Sequence, residues 1–220
     1  MVVPSLVRLD PGEGVLGREF TDPARTLDDL AALARLRESL ATRVRSGFAG
    51  GVWTVADDSH WLVVPELSAL AQVQPVFGVG FFGQARDVDH TPILNLERGL
   101  LARAAQFPGL LAYYNVRFAT GQWGNLVLFA REGDPVRVRT DPTHLEALAR
   151  TADHYRSVRL HRLRFPDGAV GRTAPALEST LLIDFTETPP WRALRAATER
   201  NVGEADLHGI QARTDGTEPG

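Results

Sequence analysis

Apolar and polar positions along this chain repeat with two periods, and the switches between them spell out a series of elements. Leu27, Leu30, Ala34, Ala41 and Val44, with Leu33 and Leu40, recur at helical spacing. Thr26 ahead of Leu27-Asp28-Asp29 resembles a capping box whose acids complement the helix dipole, and Ser46-Gly47 ends the stripe. Thr91-Pro92 predicts a second helix, with Ile93, Leu96, Leu100, Leu101 and Ala104 on its buried face and a stop at Pro108-Gly109. Asp141-Pro142 opens a third, whose core face is expected to be Leu145, Leu148, Ala149 and Ala152. A short helix is expected over 66–72, and Thr188-Pro189-Pro190 predicts a last one through Trp191 and Leu194.

Between the helices the period shortens to two. Gly51 to Val55 and His60 to Val64 flank Ala56-Asp57-Asp58-Ser59 as one hairpin, and Leu110 to Phe118 with Asn125 to Ala130 form another. Val76 to Phe82, Arg156 to Phe165, Leu181 to Phe185 and Leu6 to Leu9 read as further strands. From Val76 the order is strand, helix, hairpin, helix, strand, the βαββαβ series, and the first part echoes it. The expected fold class is therefore α+β. Two ferredoxin-like halves, 1–74 and 75–200, would pack antiparallel sheets into a barrel-like core with helices outside, and 201–220 would be a flexible tail.

Composition narrows the chemistry. The absence of cysteine removes disulfide scaffolds, thiolate catalysis and Cys-ligated zinc or iron–sulfur clusters. All 24 basic residues are arginine, which removes lysine Schiff bases and a Walker lysine; spread among 27 acids, they form no basic stripe for nucleic acid. The first eight residues do not read as a signal peptide and no apolar run reaches membrane-spanning length, so a cytoplasmic protein without a membrane partner is expected.

Gly78-Val79-Gly80-Phe81-Phe82-Gly83 spells a dinucleotide fingerprint, but no helix opens at its third glycine. It reads instead as a strand whose glycines admit a close neighbour. His90 follows the acidic Asp87-Val88-Asp89, which reads as a solvated loop, since the spacing fits no established ligand set; no metal is expected. His154, opposite the apolar stripe of its helix, is expected to face solvent. On the strand from Leu110, Tyr113, Asn115 and Arg117 alternate away from Ala112, Tyr114 and Val116; on the strand from Arg156, Arg159 and His161 oppose Val158 and Leu160. If both strands share one sheet, Tyr113, Asn115, Arg117, Arg159 and His161 are expected on one side, lining a pocket. The same alternation equally fits a solvated sheet face.

The element order from Val76 to Phe165, with its echo before Val76, resembles the dimeric α/β-barrel superfamily. The fused form resembles chlorite dismutase-like proteins. The resemblance implies a cavity for a small apolar or anionic molecule, or a haem, and activities such as cofactor-independent oxygenation or isomerisation. In the first reading, no cofactor is needed. His161 is the general acid/base, Arg117 and Arg159 hold an anion or enolate, and Tyr113 and Asn115 orient it. In the second, the barrel binds haem through His144 or His161. In the third, the chain is a non-catalytic ligand carrier or assembly module. A homodimer is a further option.

Overall fold

The computed structural model describes residues 6–54, 60–118 and 122–197. Its strands are β1 (Val7–Leu9), β2 (Gly51–Thr54), β3 (His60–Val64), β4 (Val76–Ala85), β5 (Leu110–Arg117), β6 (Trp123–Phe129), β7 (Tyr155–Phe165), β8 (Ala176–Asp184) and β9 (Trp191–Ala196). Its helices are α1 (Pro23–Arg45), α2 (Leu67–Gln72), α3 (Thr91–Leu101), α4 (Pro135–Arg139) and α5 (Pro142–His154), with short 3-10 turns at Glu19–Thr21 and Ala104–Gln106.

All nine strands belong to one mixed sheet, ordered β1-β9-β8-β7-β4-β6-β5-β3-β2. Among the described strands, only β1 and β9 pair in parallel. The α+β class is as expected, and 76–165 runs strand, helix, hairpin, helix, strand in the spatial order β7-β4-β6-β5. The barrel is not. β1 adds beside β9 at one edge and β3 adds beside β5 near the other, so the first-half elements extend this sheet instead of folding a second one. The long helix α1 covers the face that a barrel would turn inward: Leu33, Leu36 and Leu40 pack with Leu62, Phe82, Tyr114, Leu126 and Leu128.

Glycines make room for this packing. A Cβ on Gly80 would lie 2.6 Å from Leu33, and one on Gly78 would lie 2.6 Å from Phe165. On the opposite face, α3 sets Leu94 and Leu101 against Trp61, Val63, Val79 and Val127, and α5 packs alongside α3. Beyond β7 this second face continues in an apolar cluster of Leu160, Leu181, Ile183 and Leu194.

Three helix expectations need correction. α1 starts at Pro23, where the Asp22 carboxylate accepts the Ala24 N–H at 2.8 Å. This is the same Asp-Pro device that opens α5, where Asp141 accepts from Thr143 at 2.9 Å. The buried side of α1 therefore includes Thr26 and Asp29, whereas Leu27 is exposed. α5 has the expected period but a different buried side: His154 is buried and Leu145 and Leu148 are exposed, because packing beside α3, and not period, selects the stripe. Trp191–Ala196 is a strand, since the prolines end the preceding turn and the following residues pair with β8. The expected tail lies outside the described residues. Among the described residues, no helix is long and apolar enough to cross a membrane.

Candidate functional site

Residues directly opposite one another in a sheet share a face, so the pairing register locates every candidate side chain. Gly80 pairs with His161 and Phe82 with Arg159, which puts both basic residues on the α1 face. Asn115 pairs with Asn125, which pairs with Phe81, and Arg117 pairs with Trp123, which pairs with Gly83. Tyr113, Asn115 and Arg117 therefore lie on the α3 face. The five residues do not converge. Parity holds within each strand; the error lies in identifying the helix-covered side. Helices cover both faces, so apolar alternation on β5 points to α1 while that on β7 points away from it.

On the α1 face, Arg159 forks onto Asp29, with Nε at 2.5 Å and a terminal nitrogen at 2.9 Å. The imidazole of His161 sits between Asp29 and Thr180, with both ring nitrogens 2.9 Å from an oxygen. Asp29, Arg159 and His161 are 4%, 6% and 0% exposed, which denies them to a substrate. The edge of Phe82 closes over the His161 ring at 5.7 Å between centroids. Next to them the Arg195 guanidinium donates to the Glu13 and Thr21 carbonyls and to the Thr26 hydroxyl. This network ties α1 to β7, β8 and β9. With both nitrogens of His161 engaged, none is left for an axial bond to haem iron, and His144 lies half-buried on α5, over the other face.

The α3 face holds a different cluster. Glu97, on α3, receives a hydrogen bond from the Tyr113 phenol and a second from the Asn115 amide at 3.2 Å. The Asn125 amide in turn donates to the Tyr113 oxygen at 2.9 Å. Burial pushes the Glu97 carboxyl up to about 7, against the opposing pull of its bond to Tyr113 and of the Arg98 charge. Burial and the Glu97 charge hold the Tyr113 phenol well above its ordinary range, and the same two causes raise Tyr155. Tyr155 fits here because Gly83 has no side chain: a Cβ there would lie 2.4 Å from its ring.

Around this polar cluster stand two tryptophans and two arginines. Trp61 and Trp123 lie 6.3 Å apart between ring centroids. The Arg98 guanidinium is 5.5 Å from the Trp61 ring and that of Arg117 is 5.8 Å from Trp123. Tyr113, Asn115 and Arg117 thus meet on this face, while Arg159 and His161 do not join them. A carboxyl raised toward neutral pH and bonded to a phenol and an amide is able to give or take a proton. Two concavities lie elsewhere. One, of about 20 Å³, is lined by Phe77, Val79, Phe129 and Arg162; an open one of about 660 Å³ runs along Arg35, Ser39, Thr42 and Phe48.

Glu97, Asn125 and Tyr155 are absent from the sequence-based set, although Glu97 carries a readable signal. It falls four residues after Ile93 and four before Leu101, inside the apolar stripe of α3. Comparison with protein-family models, curated proteins and solved structures finds no match to the chain.

Proposed function

We propose that this chain is a small-molecule-binding protein that performs acid–base chemistry at Glu97, without a cofactor, on an anionic substrate bearing an enolisable carbon. Glu97 takes the proton, and Tyr113 with Asn115 holds the carboxyl in place. Arg98 and Arg117 attract the anion beside the indole rings of Trp61 and Trp123. Isomerisation by proton transfer belongs to this class, and His161 has no part in it. The arrangement that carries the reading is the Glu97 carboxyl held by the Tyr113 phenol and the Asn115 amide, with burial pushing it up to about 7. A base with a pKa near the working pH combines a large deprotonated fraction with useful basicity.

The test is deuterium wash-in. A panel of small oxo acids and lactones is incubated with the protein in D₂O at neutral pH and followed by proton NMR. At least one compound is expected to exchange its acidic C–H faster than in buffer. Glu97→Gln is expected to slow that exchange by about 10²–10⁴-fold, and His161→Gln, where it folds, to leave it unchanged. No enzyme-dependent exchange across the panel, or equal rates for Glu97→Gln and the parent, would overturn the proposal.

A further inference from the structure

A second site lies where the start of α3 meets the end of α5. His90 is the residue before α3 and His154 is the last residue of α5. Arg86 brings them together: its backbone N–H donates to the His154 carbonyl at 2.8 Å, and its Nε donates to the Ala152 carbonyl at 2.9 Å. The two imidazole centroids are 5.3 Å apart, with the rings tilted by 42°. His154, expected in solvent, is 6% exposed.

The tautomer of His90 is set by its partner. Its Nε2 is 3.0 Å from the Arg86 carbonyl oxygen, which only accepts hydrogen bonds, so Nε2 carries the hydrogen. In the neutral ring, Nδ1 then keeps its lone pair. That atom is buried and has no hydrogen-bond partner, and the same is true of Nδ1 in His154. An imidazole that donates one N–H to a carbonyl while presenting the other nitrogen bare is the usual state of a metal-ligating histidine. The spacing agrees. Two imidazoles bound about 2.0–2.1 Å from a tetrahedral ion hold their centroids roughly 5 Å apart.

We propose that His90 and His154 form a two-imidazole clamp for a divalent cation of the zinc type. The clamp does not rest on the Glu97 chemistry, although the His90 ring lies 5.9 Å from that of Tyr155. Among the described residues, no group of three His, Asp or Glu side chains gathers around one point, so the remaining positions fall to water or to a donor on a bound molecule. Asp89, exposed beside His90, adds a negative charge close enough to act on both rings. Imidazole suits zinc, nickel and copper, whereas magnesium and calcium prefer oxygen ligands.

The full chain, free of any histidine tag, is titrated with zinc chloride by calorimetry. One ion per chain is expected, with a rise in melting temperature on saturation. His90→Gln and His154→Gln should each weaken binding by at least about tenfold, whereas His144→Gln should leave it unchanged. Circular dichroism without metal checks that each variant folds. A further measurement needs no variant: substoichiometric Cu²⁺ should broaden the ring NMR signals of His90 and His154 and spare those of His161. The proposal is overturned if zinc uptake does not saturate at one equivalent, if magnesium binds as well as zinc, or if Cu²⁺ broadens other histidines first.

Discussion

Replacing Asp29 with asparagine removes one charge from the network on the α1 face and changes almost no volume. Arg159 then keeps a buried guanidinium without its carboxylate, and His161 loses an anionic partner. With Asp29 and Arg159 4% and 6% exposed, water cannot replace what is lost. Breaking a buried pair of this kind costs about 3–5 kcal/mol, because the remaining charge stays desolvated and uncompensated. Against a typical domain stability of about 5–15 kcal/mol, that is a large share. In a chain of this size it corresponds to a fall of about 6–20 °C in melting temperature. Urea and thermal unfolding, followed by circular dichroism at pH 7, measure it. The double replacement Asp29→Leu with Arg159→Met removes both charges and should recover most of the loss, which separates charge burial from local packing. An Asp29→Asn protein within about 1 kcal/mol of the parent would refute the reasoning, since a strut between α1 and β7 cannot be that cheap to break.

Glu97 makes a pH prediction of the opposite sign to most carboxylates. Its pKa rises from the ordinary range to about 7 on folding, so between these values the folded state holds more protons than the unfolded one. Stability from this group is complete at low pH and is lost as pH rises through about 7, by up to roughly 3 kcal/mol. Glu97→Gln should abolish that slope and unfold at higher urea than the parent at pH 8; a parent whose stability does not fall between pH 5 and 8 relative to the variant would contradict it. Gly83→Ala places a methyl carbon 2.4 Å from the Tyr155 ring and should destabilise by about 1–3 kcal/mol; urea midpoints equal to the parent's would show that the ring moves without cost. Where exchange is found, its rate should rise with pH and level off above about 7, as a carboxylate base requires.

Local physics was legible where local physics decides. The Asp141-Pro142 start, the hairpin over β5 and β6 and the βαββαβ series of 76–165 follow from caps, turns and alternation. Register between distant strands does not. Nothing around Tyr113 or His161 tells which strand each will pair with, and a sheet covered on both faces makes an apolar alternation point to either cover. The barrel expectation failed for the same reason: the first hairpin satisfies its edge against β5, and α1 satisfies the face that a second sheet would need. Trp191–Ala196 misled because a proline pair that commonly precedes a helix here ends a turn, and Arg195 becomes buried only through carbonyls distant in sequence. Glu97 is legible as a carboxyl in the middle of an apolar stripe.

The central claim is that one carboxyl, beside Tyr113 and Asn115, changes charge near neutral pH. Carbon-13 NMR of protein labelled at the glutamate side chains, assigned by the loss of one resonance in Glu97→Gln, follows that titration directly. The account predicts a Glu97 midpoint of about 7, moving higher in Tyr113→Phe, where the hydrogen bond that opposes the effect of burial is lost. A midpoint in the ordinary glutamate range in the parent protein would contradict it.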